Sequence, residues 1–120
     1  MKTLTAIALS LAMLTGSVNI SYAQVVKASW YDCMQPGECS KRKITASGVK
    51  FNPNALTVAH RTLPFGTKLL LTHNGKSIIV TVNDRGPFVR GRTLDLSKGA
   101  ARALGCLKKG VCLIDMKIIG

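Results

Sequence analysis

Acidic residues are scarce in this 120-residue chain: five Asp and Glu stand against 17 Lys and Arg, a formal net charge of +12. Any carboxylate chemistry must come from Asp32, Glu38, Asp84, Asp95 or Asp115. Histidine is as sparse, with only His60 and His73. They fall in no H-E-x-x-H helix, which excludes the common zinc-hydrolase arrangement. No G-x-S-x-G elbow, phosphate loop or free cysteine with a partner histidine is present. No metal or organic cofactor is expected. Long apolar runs are also missing: Leu4 to Leu14 is charge-free, but a permanent span needs roughly 20 residues. No stable membrane insertion is expected.

The start of the chain has the pattern of an export signal. Lys2 precedes the apolar run, and Ser21-Tyr22-Ala23 places small residues where a signal peptidase inspects them. Residues 1–23 are therefore expected to be removed, leaving one domain over 24–120. No cysteine follows the run directly, so no lipid anchor is expected, and the destination is the periplasm or cell wall. The remaining chain keeps 16 basic residues, the 17 less Lys2, against the five acids. That excess suits a polyanionic surrounding such as a cell wall with its acidic polymers or a membrane surface, and export argues against nucleic acid. The protein is expected to be a monomer.

Cys33, Cys39, Cys106 and Cys112 form two C-x5-C pairs. An even count in a small exported chain favours disulfides over a structural zinc site, with three pairings open. The local pairs Cys33–Cys39 and Cys106–Cys112 are favoured.

Strand character runs from Val25 to Tyr31, from Leu56 to His60, from Arg92 to Leu96 and from Val111 to Ile119. In the last of these, Cys112, Ile114, Met116 and Ile118 share one face. Lys68–Thr72 and Ser77–Val82 are β-rich runs joined through Asn74-Gly75, the signature of a type I′ hairpin. Ser97 is a good N-cap for a helix through Leu104, with Gly105 as its stop. Short strands with one helix and no βαβ rhythm predict a mainly β fold, a small closed barrel.

Among the acids, Asp115 alternates with Lys117 on an outer face, and Asp32 and Glu38 belong to a Cys-clipped loop. Asp95 precedes the helix cap, where a carboxylate favours the positive helix end, so a structural role is expected. Asp84 follows the run Ser77–Val82 and precedes Gly86-Pro87, a rigid strand end of the kind that carries sites. Arg85 beside it would hold the carboxylate ionised if its guanidinium turned inward. His60 ends a strand and can donate to a ligand or carry a proton. His73 lies beside the hairpin tip and is expected to be exposed and idle.

The blocks Ala28-Ser29-Trp30-Tyr31, Thr45-Ala46-Ser47-Gly48, Ala59 to Thr67 (A-H-R-T-L-P-F-G-T), Val82 to Phe88 (V-N-D-R-G-P-F) and Gly91 to Ser97 resemble the rare lipoprotein A family, in the same order. The resemblance implies a six-stranded double-psi β-barrel with one short helix. It also implies an endolytic peptidoglycan lytic transglycosylase, which cleaves the bond between N-acetylmuramic acid and N-acetylglucosamine of peptide-free glycan strands. The product would carry a 1,6-anhydromuramyl end. By position, Asp84 matches the family's catalytic Asp and His60 its groove His. Trp30, Tyr31, Thr45, Asn83 and Arg85 are expected to line the groove. Two positions depart from the family pattern: Val49 stands where Glu is usual, and Asn52 where Asp is common. The departures open a second reading, an expansin-like module that binds glycan without cutting it. A third, a basic secreted defence or inhibitor protein of barwin type, draws on charge and disulfides alone.

Overall fold

The computed structural model describes residues 23–120, so the expected export segment lies outside the described residues apart from Ala23. Six strands, β1 (Gln24–Tyr31), β2 (Thr57–Ala59), β3 (Lys68–His73), β4 (Lys76–Asp84), β5 (Leu94–Ser97) and β6 (Cys112–Ile118), close into a barrel in the order β1-β5-β2-β4-β3-β6. One helix, α1 (Lys98–Leu104), follows β5 directly. Two contacts are parallel, β1 with β5 and β2 with β4, and the other four are antiparallel.

Alternation along each strand decides which side chains fill the barrel. Val26 and Ala28, Leu69 and Leu71, Val80 and Val82, Leu94 and Leu96, and Ile114 and Met116 all point inward and are buried. Fully burying a Leu or Val contributes roughly 1.5–3 kcal/mol, so these alternating pairs set the register of every long strand. Ala100, Ala101 and Leu104 close one side of the same core. On β6 the inward row ends at Met116, because Ile118 is exposed where the strand runs out beside Leu69 at the start of β3.

Local signals fix the hairpin and the helix. Asn74 and Gly75 both take positive φ, 48° and 77°, as a type I′ turn requires. Ser97 Oγ accepts from Ala100 N at 3.1 Å, and Gly105 ends the helix in the left-handed region. Helix position 99 must be glycine for another reason. Its N–H donates to Pro53 O at 2.7 Å, and a Cβ there would stand 2.7 Å from Asn54 O.

A second, smaller cluster sits outside the barrel. The segment between β1 and β2 folds back so that Cys33 and Phe51 pack on Tyr31 and Ala59. Cys33 is bonded to Cys39 and Cys106 to Cys112, with Cα–Cα distances of 5.3 and 6.0 Å. His73 departs from the expectation of an idle surface residue. It is half-buried, and its Nδ1 donates to Leu113 O at 2.9 Å, tying the hairpin tip to β6. It stands beside Cys106 and Cys112, but their sulfurs are joined to each other and are not free thiolate ligands. No described helix is long and apolar enough to cross a membrane.

Candidate functional site

Asp84 reaches the outer face through a bulge. Thr57 pairs with Thr81 and Val58 with Val82, but Ala59 pairs with Asp84, so Asn83 is the extra residue. Strict alternation after the inward Val82 would have aimed Asp84 into the barrel. The bulge turns it outward, a common use of bulges beside sites.

Three donors then hold the carboxylate. Tyr31 Oη donates to Oδ2 at 2.8 Å, while Ala46 N and Arg85 N donate to Oδ1 at 2.8 and 2.9 Å. Ala46 is set in place by its neighbours: Thr45 Oγ1 donates to Val49 O at 3.0 Å and shares a hydrogen bond with Ser47 Oγ. Thr45 is buried and lines a cavity of about 150 Å³ together with Asp84, Lys43 and Phe51. Val49, at the position where the family carries Glu, is exposed and offers the site only its carbonyl.

Several expected groove residues do something different here. Tyr31 is buried and stacked on Phe51, with ring centroids 4.6 Å apart, so it positions Asp84 and leaves no face for a sugar. Burial, then the Asp84 charge, pushes the Tyr31 hydroxyl well above its ordinary range, so it stays a donor. Arg85 borders the Asp84 cavity as expected, but touches Asp84 through its backbone only. Its guanidinium donates to His60 O and Leu63 O, at 3.1 and 2.8 Å, and lies 3.9 Å over the Phe65 ring. It clamps the loop after β2 rather than forming an ion pair with Asp84. Asn83 makes its contact through its carbonyl, which accepts from Ser47 N, and its Oδ1 is buried without a partner.

The His60 ring makes no hydrogen bond to Asp84; its backbone N–H donates to Asp84 O at 3.2 Å. Its Nδ1 accepts from Thr62 N and Leu63 N at 3.1 and 3.0 Å, which leaves the proton on Nε2. Burial, then Arg61 and Arg85, lowers its pKa below the ordinary 6.5. His60 is thus a neutral ring with an Nε2–H donor. Trp30 faces the other way from Tyr31. It packs against the barrel core, donates from Nε1 to Leu107 O at 3.1 Å and lines a cavity of about 460 Å³ with Glu38 and Arg92. Glu38 borders this cavity and the one at Asp84, so the two meet at the Cys33–Cys39 loop. A third opening, about 400 Å³, lies beyond Arg61 and Phe88.

One acid has other partners than expected. Asp95 does not serve the helix end, which Ser97 caps; its Oδ1 accepts from Ser29 Oγ at 3.1 Å. Ser29 pairs with Asp95, Asp95 with Ala59 and Ala59 with Asp84, so these four form one row across β1, β5, β2 and β4. Burial chiefly raises the Asp95 pKa from 3.8 to about 6, with Glu38 and Asp84 adding to it and Ser29 and Arg92 opposing it. The outward phase of Asp95 between Leu94 and Leu96 was the available signal.

Comparison with known proteins agrees with this picture. A family model described as lytic transglycolase, a double-psi β-barrel, matches residues 23–116. The chain is 44% identical over 109 residues to the probable endolytic peptidoglycan transglycosylase RlpA of Nostoc, covering 89% of this chain and 28% of that protein. It is 53% identical over 94 residues to that of Synechocystis, covering 77% and 28%. The chain thus spans under a third of these relatives' length. Among solved structures, a Streptomyces papain inhibitor superposes with TM-score 0.66 at 23% identity, covering 87% of this chain and all of that one. A Clavibacter michiganensis expansin superposes with TM-score 0.64 at 22% identity, covering 82% and 51%. At such identities both likenesses concern the fold.

Proposed function

Because this chain belongs to the double-psi β-barrel lytic transglycosylase family, we propose that it is an endolytic peptidoglycan lytic transglycosylase. Its substrate is the bond between N-acetylmuramic acid and N-acetylglucosamine in peptide-free glycan strands, and its product carries a 1,6-anhydromuramyl end. The observation that carries this reading is Asp84, held by three donors at the edge of a cavity, on a barrel whose relatives bear that activity in their names. The carboxylate keeps one of its roughly four acceptor positions open, enough to take the proton of the muramyl 6-hydroxyl as that oxygen attacks C1. No water enters the products, so the reaction is an internal transfer. The neutral His60 donates from Nε2 to a sugar oxygen, and Trp30 lines the neighbouring glycan cavity. Two disulfides fit an exported protein. It works as a monomer in the cell envelope, between residues 24 and 120, and its positive charge holds it on the anionic wall.

A second reading is favoured by Val49, which supplies no acid: the barrel binds glycan without cutting it. Incubating the protein with peptide-free glycan strands and analysing the products by mass spectrometry separates the two. Anhydromuramyl ends that vanish with Asp84→Asn support the first. Binding that survives Asp84→Asn, with no product from wild type, supports the second.

A further inference from the structure

A transglycosylase needs a proton for the leaving oxygen, and Val49 supplies no acid. The row across the barrel supplies one. Asp84 and Asp95 are the two partners of Ala59, one on each side of β2. Two inter-strand steps of about 4.8 Å put their Cα atoms about 10 Å apart on one face. The buried Ala59 between them packs against the Tyr31 and Phe51 cluster, and Asp84 and Asp95 stand half-buried on either side of it. Carboxyl groups carried on Cα atoms so spaced can reach the roughly 6.5–9.5 Å at which paired carboxylates flank a glycosidic bond with room for a nucleophile between them.

We propose that Asp95 is the second catalytic carboxylate, the acid that protonates the leaving oxygen, with Asp84 as the base; the assignment rests on the transglycosylase reading above. The bond between muramyl C1 and the N-acetylglucosamine O4 breaks as the Asp95 proton moves to O4. Muramyl O6 bonds to C1, its proton moves to Asp84, and solvent returns both carboxyls to their starting states. The two environments suit the two roles. Asp84 accepts three hydrogen bonds and keeps an acceptor position free for the 6-hydroxyl proton. Asp95 accepts one, from Ser29, and is faced by Glu38 from the clipped loop, Asp84 from β4, Tyr31 from β1 and Arg92 before β5. Burial and two like charges keep a proton on it up to about pH 6, within the range a general acid requires.

The test compares two substrates: peptide-free glycan strands, and a peptide-free muramyl glycoside bearing 4-nitrophenol, a leaving group that needs no proton. On glycan strands, Asp95→Asn should lose roughly 10²–10⁴-fold in kcat, and the fall in wild-type activity as pH rises through about 6 should disappear. On the nitrophenyl glycoside, Asp95→Asn should retain activity within about tenfold of wild type, whereas Asp84→Asn stays inactive. Asp115→Asn, on the exposed side of β6, controls for lost charge. Circular dichroism of Asp95→Asn should match wild type. Undiminished cleavage of glycan strands by Asp95→Asn overturns the Asp95 assignment alone. Equal loss on both substrates overturns the acid role. Absence of anhydromuramyl product from wild type overturns the transglycosylase reading, and the assignment with it.

Discussion

Tyr31→Phe isolates a single atom of the site. The substitution keeps the ring that stacks on Phe51 and removes only the hydroxyl that donates to Asp84 Oδ2 at 2.8 Å. A hydrogen bond to a charged group is worth roughly 1.5–3 kcal/mol. Asp84 is half-buried, so water takes over part of that role and the lower end applies, about 1.5 kcal/mol. For a domain of about a hundred residues that lowers Tm by about 7 °C. Activity should fall about tenfold, mainly in kcat, because the carboxylate keeps its two backbone donors but swings about them. The pH dependence gives a second, independent readout. The folded state holds the Tyr31 proton well above the ordinary value of 10.0. Stability from this group is therefore complete below about pH 10 and lost as pH rises further, when the unfolded chain ionises and the folded one does not. Tyr31→Phe should lack that alkaline slope. Thermal melts from pH 7 to 11, with anhydromuramyl release at neutral pH, measure all three effects. Identical melts and identical kcat would refute the idea that Tyr31 positions Asp84.

Asp95→Asn should stabilise the fold at pH 7 by about 1–2 kcal/mol after allowance for solvent screening. Its carboxyl pKa is raised to about 6 from 3.8, so the wild type loses stability as pH rises from 4 to 6, and the two proteins should melt alike at pH 3.5. The His60 ring protons, followed by NMR, should titrate below 6.5; a midpoint above 6.5 contradicts a neutral donor. His60→Ala strands two backbone N–H groups and should cost about 1–2 kcal/mol in chemical denaturation. Gly99→Ala gains about 1 kcal/mol of helix propensity, yet its Cβ meets Asn54 O at 2.7 Å. A lower Tm is expected, and a higher one would mean that the loop gives way.

Sequence carried the elements whose causes are local. Asn74-Gly75 set the hairpin, and Ser97 with Gly105 set both ends of the helix, because each depends on neighbours within four residues. Asp84 was readable as a candidate, since a β-branched run ending at Gly86-Pro87 is also a local pattern. Its orientation was not. That depends on which residue of β2 it pairs with, a fact of register between segments more than twenty residues apart. The same cause hid Asp95, whose partners Ser29 and Ala59 come from distant strands. Tyr31 was misjudged where local evidence sufficed: adjacent strand residues point to opposite faces, so Trp30 and Tyr31 never share one surface. Arg85 does border the Asp84 cavity, as read; its clamp on the loop after β2 was not legible, because that loop is built only when β2 and β4 pair.

The row Ser29, Asp95, Ala59, Asp84 draws one residue from each of four strands, and two of its three junctions are parallel pairings. Its hydrogen bonds span 66 residues from Ser29 to Asp95 and 53 from Tyr31 to Asp84. Contacts that distant in sequence carry the largest loop-closure cost and reward the chain only at the end. No hairpin or helix among the described residues contains the row. It exists only when β1, β5, β2 and β4 have all paired, so these side chains come into place together with the sheet, in one step.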